Sequence, residues 1–368
     1  MPIEFSRRLD WNLSTNRLSQ ALENQKPRFD LTASNPTKAG LHYPPELLTA
    51  FQNPEALKYE PDPRGIESAR AALNLGTHTI LTASTSEAYA WLFKLLCNPG
   101  DAILVPRPSY PLFDFLAKLE GVQTRQYSLR YAEGWWLDFE SLETQLTPNT
   151  RAILFVHPNN PTGGYLKRTE LIRLTKICAQ RNIALISDEV FADYPLIDDE
   201  NRAITLGENG ECLTFVLGGL SKTAGLPQMK VAWLTASGPK AADAATRLEL
   251  IADTYLSVAT PVQHALPALL HHGANIRQQI RNRTQTNLKI LKPLRPLIVE
   301  GGWYAIIPTP RTRTEEEWAL HLLEREQTLT QPGYFYDFES DGWLILSLLT
   351  PEADFASGVE AIQRQFTA

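Results

Sequence analysis

Apolar positions along the chain switch repeatedly between two periods. Behind Ser86-Glu87 they recur at Ala88, Leu92, Leu95 and Leu96, a helical spacing that stops at Pro99-Gly100. Ala102 to Val105 is short and wholly apolar between Asp101 and Pro106, which predicts a buried strand. Leu112 to Leu119 predicts a second helix, leading through Gly121 to a strand near Val122 to Tyr127. The middle of the chain repeats the alternation, with strands at Ala152 to Val156, Ile183 to Ile186 and Leu213 to Leu217, and an amphipathic helix from Lys167 to Gln180. Short apolar strands separated by helices predict an α/β fold, a mostly parallel sheet covered by helices on both faces and joined by right-handed crossovers.

After about residue 285 the pattern changes. Leu297 to Val299, Trp303 to Ile307 and Trp343 to Leu348 predict strands around a helix from Thr314 to Gln327. This is the pattern of a smaller α+β domain, and Pro293 and Pro296 mark a boundary. The expected division is a large domain over 45–285, with 1–44 and 286–368 forming the small domain and N-terminal segment.

Lys and Arg number 35 against 41 Asp and Glu, a net charge of −6, which argues against sequence-independent attraction to nucleic acid or an anionic membrane. The three cysteines, Cys97, Cys178 and Cys212, are far apart and odd in number, so neither a disulfide framework nor a CxxC metal site is indicated. No apolar run suits a signal peptide or a membrane span. The expectation is a cytoplasmic enzyme with no nucleic-acid or membrane partner.

Four segments lie where a predicted strand gives way to a loop, the place where ligands bind in open α/β sheets. HPNNPTGG, His157 to Gly164, forms a sharp turn that holds the Asn160 amide rigidly, either as a plain turn or aimed into a site. Asp188, in Ser187-Asp188-Glu189-Val190, is a carboxylate at the end of a buried strand, so it either caps a helix or pairs with a cationic nitrogen. Lys222, in GGLSKTAGLP, is either a solvated cation or a desolvated nucleophile able to form an imine. TASTS, Thr82 to Ser86, opens the first helix as an N-cap or as an anion site suited to phosphate.

In that order, a phosphate cradle, Asn160, Asp188 and Lys222, the chain resembles the class I/II pyridoxal phosphate (PLP)-dependent aminotransferases of the aspartate aminotransferase fold type, from about residue 30 to 360. NNPTG, SDEV and LSKTAGLP carry the resemblance. It implies that Lys222 links the cofactor and shuttles a proton, and that Asp188 pairs with the pyridinium nitrogen. Asn160 would donate to the ring oxygen, Tyr110 in RPSYP would stack on the ring, and Ser84, Thr85, Ser86 and Ser221 would line the phosphate. Tyr59, in YEPDPRG, matches a tyrosine that reaches the phosphate from a neighbouring subunit, implying a homodimer with shared active sites. Ser34, in LTASNPT, falls in the segment that covers the substrate. The implied activity moves an amino group from an amino donor to a carbonyl acceptor in a ping-pong cycle. A lyase or an oxidative deaminase on the same scaffold is the alternative, and a PLP-binding sensor is a more distant one.

The departures from the family pattern are specific. Phe191 stands in place of a common tyrosine, Gly219 in place of a phosphate-binding serine, and Lys230 in place of a phosphate-binding arginine. Ile345, in GWLILSLLT, occupies the position of the arginine that clamps the substrate carboxylate. Either another cation, from among Lys38, Arg64, Arg311 and Arg313, takes over that work, or the substrate lacks a carboxylate there. Trp303 and Tyr304 are expected as packing or rim aromatics, His271 and His272 as surface residues rather than metal ligands, and Arg277, Arg281 and Arg283 as a solvated helix face.

Overall fold

The structure, a computed structural model, describes residues 3–367. An eight-stranded sheet forms its centre. Its strands are β1 (Thr79–Thr82), β2 (Ala102–Arg107), β3 (Gln123–Tyr131), β4 (Trp135–Leu137), β5 (Thr150–Val156), β6 (Ala184–Asp188), β7 (Thr214–Gly219) and β8 (Ala232–Ser237). Their spatial order is β1-β8-β7-β6-β5-β2-β3-β4. Neighbours from β7 across to β3 run parallel, whereas β8 and β4 run against the strands beside them.

The strands extend beyond the apolar runs that predict them. β2 reaches Arg107, β6 reaches Asp188 and β7 reaches Gly219, because ladder pairing continues after the hydrophobic residues end. Alternate residues serve opposite faces. Leu154, Ile186 and Phe215 pack with Trp91 and Phe93 beneath the helices Thr85–Leu96 and Ala241–Asp253. Ile153, Phe155 and Leu185 join Leu174 of the helix Arg168–Arg181 on the other face. Burial on both faces is why these strands read as continuous apolar runs rather than as an alternation.

The C-terminal part builds a three-stranded antiparallel sheet from β9 (Tyr304–Pro308), β10 (Gln331–Pro332) and β11 (Trp343–Ser347), with β11 in the middle. Leu344 and Leu346 of β11 point into a cluster with Trp318, Leu322 and Phe355, from the helices Glu315–Glu326 and Glu352–Thr367. Ile345 points the other way and joins the core of the large sheet. The N-terminal segment packs here as well, Phe29–Asp30 pairing in parallel with Thr328–Leu329. The strand expected at 297–299 does not form. Leu297 N–H makes one hydrogen bond to the Ile306 carbonyl at 2.9 Å, but the preceding Pro296 has no N–H with which to extend a ladder.

The helix Thr260–Ile290 runs unbroken past residue 285 and ties the two sheets together. Its arginines are not the solvated face expected from their spacing. Arg281 Nε donates to the Asp193 carbonyl at 2.7 Å, and Arg277 lies 3.5 Å from the Asp193 carboxylate. Arg283 donates to the carbonyls of Ala39 and Leu349 at 3.0 and 3.3 Å. Segments distant in sequence supply these acceptors, so helical periodicity alone could not reveal them.

Glu315 anchors the loop that follows β10. Its buried carboxylate accepts hydrogen bonds from the backbone N–H groups of Tyr334, Gly342 and Trp343 at 2.6, 3.0 and 3.0 Å. Glu315→Ala leaves these donors unpaired and is expected to destabilise the protein by about 3 kcal/mol. Glu315→Gln, which keeps one acceptor oxygen, should cost less. Equilibrium urea unfolding of both variants checks this order.

Candidate active site

β1, β2, β5, β6 and β7 end at one edge of the sheet, and the antiparallel β8 begins there. The predicted residues follow directly: Ser84 after β1, Tyr110 after β2, Asn160 after β5, Asp188 as the last residue of β6, Lys222 after β7 and Lys230 just before β8. The parallel topology thus gathers groups scattered over 146 positions of sequence, from Ser84 to Lys230, along one edge.

Asp188 is buried. Its Oδ2 accepts a 2.7 Å hydrogen bond from the Tyr89 hydroxyl, and its Oδ1 accepts one from the Val190 N–H at 3.1 Å. Burial raises its pKa, opposed by these hydrogen bonds and by the Lys222 charge. No helix begins at this aspartate, so capping does not account for it. Lys222 lies in the short helix Leu220–Thr223, where Tyr194 donates to its backbone carbonyl at 2.5 Å. Its ammonium lies 5.1 Å from the Trp303 ring centroid and 5.7 Å from that of Phe191. Burial lowers its pKa, opposed by the charge of Asp188. Lys222 is therefore a desolvated amine rather than a surface cation.

The turn after Lys222 depends on Gly225, whose φ is +63°. A Cβ there would come within 2.9 Å of Ile276 on the long helix, so a side chain would push the lysine loop off its support. Tyr43 donates to the Gly225 carbonyl at 2.7 Å and fixes the same turn from the N-terminal side.

In the turn after β5, neighbouring asparagines divide the work. Asn159 is structural, donating to the Pro108 carbonyl and to Thr162 Oγ1 at 3.0 Å each and accepting from Ser109 at 3.1 Å. Asn160 is the one left over, its Oδ1 buried without a hydrogen-bond partner. His157 underpins the turn as a neutral ring, Nε2 facing the Ala203 carbonyl at 2.9 Å and Nδ1 accepting from the Leu166 N–H. Burial pushes its pKa down to about 4.

Ser84 caps the helix Thr85–Leu96, accepting from the Glu87 N–H at 3.1 Å. Thr85 and Ser86 lie half-buried in the first turn behind it, and Ser221 is half-buried beside Lys222. Tyr110 is 45% exposed and meets Phe113 edge-on at 6.4 Å. Ser34 is exposed in the N-terminal segment. Lys230 is exposed on a left-handed backbone, φ +52°, and Tyr59 is 77% exposed. Within this single chain, neither is held by neighbours as Asp188 and Lys222 are.

Sequence reasoning missed Tyr89, the buried donor to Asp188, and left Trp303 as a packing or rim aromatic. Tyr89 carried one usable signal. A tyrosine on the inward face of a buried helix needs a partner for its hydroxyl, and the nearest unexplained acceptor was Asp188.

The profile of the family "Aminotransferase class I and II" matches residues 12–362. The chain belongs to this family. It is 29% identical to the glutamate-pyruvate aminotransferase AlaA of Escherichia coli (strain K12) over 289 residues, which covers 73% of this chain and 71% of that protein. It is 26% identical to an alanine aminotransferase of Mycobacterium tuberculosis over 366 residues, which covers 90% and 84% of the respective chains. Among solved structures, an aminotransferase from Escherichia coli superposes with a TM-score of 0.86 at 24% identity, covering 100% of this chain and 99% of the other. This protein is a PLP-dependent aminotransferase.

The residues of this aminotransferase fit that cofactor. Among the described residues the buried Asp188 carboxylate has no salt-bridge partner and the Lys222 amine is partly desolvated, which suits the ring nitrogen and the aldehyde of that cofactor. The phosphate end has fewer fixed donors, since Gly219 offers no hydroxyl and Lys230 is exposed. Asp188→Asn keeps an acceptor for Tyr89 while removing the buried charge. The apo variant should melt at or above the wild-type temperature, because burial already disfavours the carboxylate. Cofactor retention on dialysis, followed by absorbance, should fall at least about tenfold through loss of the ring-nitrogen partner.

Proposed function

We propose that Lys222 is the residue that would hold the cofactor's aldehyde and that its Nζ would carry the proton taken from the donor carbon. The observation that carries this assignment is the placement of Lys222 and the buried Asp188 at the same edge of the sheet, after adjacent strands β7 and β6. Partial desolvation favours the neutral, nucleophilic amine, which lies beside the rings of Trp303 and Phe191. Asp188, its carboxylate fixed by Tyr89, would hold the proton of the ring nitrogen. Asn160 would hold the ring oxygen, Tyr110 would cover the ring, and the Ser84–Ser86 turn, Ser221 and Lys230 would hold the phosphate. When bound, PLP supplies an electron sink for the carbanion left at the donor carbon.

We place the cofactor-binding part at residues 45–285, with 1–44 and 286–368 forming the smaller part that closes over the substrate. The exposed Tyr59 suits a homodimer in which each subunit completes the other's phosphate site. Three free thiols suit a reducing cytoplasm.

Borohydride reduction of the holoenzyme, followed by peptide mass analysis, should place the cofactor on Lys222. Lys222→Ala should lose that adduct and slow the half-reaction with a donor by at least ~10³-fold. An adduct on another lysine overturns the assignment. For the shared site, mixing Lys222→Ala with Tyr59→Ala subunits should restore part of the activity that each homodimer lacks, and sedimentation velocity should show a dimer.

A further inference from the structure

The first long helix sets an aromatic hydroxyl against the carboxylate of the site. Tyr89, on the helix Thr85–Leu96, buries its ring in the cluster that holds Val156 and Leu217, the residues opposite Asp188 on β5 and β7. Phe93 lies tilted against this ring at 6.1 Å, and Phe113 meets it edge-on at 5.4 Å. A phenylalanine would serve that packing as well, as Phe93 does one turn later, so the hydroxyl needs a reason of its own. Among the described residues its hydrogen-bond partner is Asp188, whose Oδ2 accepts from it at 2.7 Å while Oδ1 accepts from the Val190 N–H at 3.1 Å. Tyr89 is 3% and Asp188 7% exposed, so the contact is complete within one chain.

The titratable groups around this carboxylate act on it unequally. Glu189, next in the chain, turns its own carboxylate to the Ser187 and Thr205 hydroxyls and the Leu206 N–H at 2.8, 3.0 and 2.9 Å. His157, after β5, is neutral and meets Asp188 through the backbone, its N–H donating to the Asp188 carbonyl at 2.8 Å. Lys222, after β7, contributes a positive charge. Burial drives Asp188 toward its acid form, and the Tyr89 hydrogen bond is the strongest of the influences opposing this, ahead of the Val190 N–H and the Lys222 charge. Burial and the neighbouring Asp188 hold the Tyr89 hydroxyl well above the ordinary tyrosine range, so it stays protonated and acts as the donor. The Lys222 charge is lost whenever its nitrogen serves as a nucleophile, whereas the hydroxyl remains.

We propose that Tyr89 is a positioning residue whose hydroxyl keeps Asp188 in its carboxylate form, ready to hold a protonated ring nitrogen. The proposal rests on the reading that Asp188 holds the proton of the cofactor's ring nitrogen. Tyr89 acts through Asp188 and touches no reacting atom. A carboxylate that already accepts a hydrogen bond binds a further proton weakly and leaves it on the ring; without the hydroxyl it binds that proton more tightly and draws it away. Loss of the hydroxyl thus shifts one proton along one hydrogen bond, with no change of oxidation state, and weakens the ring as an electron sink.

The test grades the donor at position 89. Tyr89→Phe keeps the ring and removes the hydroxyl, and 3-fluorotyrosine inserted at the same position makes the hydroxyl a stronger donor. In the full-length apoprotein labelled with 13C at its aspartate carboxyls, the Asp188 signal, identified by its loss in Asp188→Asn, is titrated by NMR. Its midpoint should rise by about one pH unit or more in Tyr89→Phe and fall below the wild-type value with fluorotyrosine. In holoenzyme carrying 15N in the cofactor ring, the ring-nitrogen signal of Tyr89→Phe should move toward its unprotonated position. An unchanged or lowered midpoint in Tyr89→Phe overturns the proposal, as does a fluorotyrosine midpoint at or above that of the wild type. If Tyr89→Phe does not fold, the fluorotyrosine protein, which retains the ring and its hydroxyl, decides the matter. A ring signal that ignores both Tyr89→Phe and Asp188→Asn overturns the placement of the ring nitrogen at Asp188, and the apoprotein midpoints still decide what Tyr89 does to the carboxylate.

Discussion

A buried carboxylate and a half-buried amine meet at the edge of one sheet, and much of the architecture holds them there. Burial drives Asp188 toward its acid form and Lys222 toward its free-base form, and each opposes the other's shift through its charge. Left alone, this pair is costly to bury. Tyr89 and the Val190 N–H offset part of that cost at the aspartate, and no salt bridge joins the two side chains among the described residues.

The supports around this pair are drawn from distant parts of the chain. Tyr89 holds the Asp188 carboxylate from the first long helix, and Tyr194 holds the Lys222 backbone from the segment after β6. Tyr43 and Ile276 fix the glycine turn behind the lysine from opposite sides. Trp303, Tyr304 and Ile345 from the C-terminal part join the core of the large sheet, and Arg283 clips the N-terminal segment to the end of β11 through the Ala39 and Leu349 carbonyls. The small sheet also contacts the large one through Glu339, bound by Arg107 and Arg130 at 2.8 and 2.7 Å. These polar, partly exposed ties add orientation to the apolar core that the two sheets share.

The departures from the family pattern lie in different surroundings. Phe191 and Ile345 are buried apolar residues of one core, whereas Gly219 carries no hydroxyl and Lys230 is exposed. The family relationship fixes the reaction but not the substrate.

The parallel sheet, the helices over it and the positions of Asn160, Asp188 and Lys222 were all legible from the chain. Doubly covered strands must be apolar throughout, and groups placed just after such strands share one edge whatever their spacing in sequence. The absence of an arginine at 345 was equally legible, since no fold can supply a side chain that is not encoded. What the sequence could not contain was partnership. Asn159 and Asn160 are the same residue type side by side, and only the packed turn decided which amide was used up and which was left free. The spacing of Arg277, Arg281 and Arg283 describes a helix face but not what lies against it, and the acceptors arrive from residues 39, 193 and 349. Local periodicity reports which side of an element is buried; the identity of the neighbour across the interface is a long-range fact, and tertiary structure alone settles it.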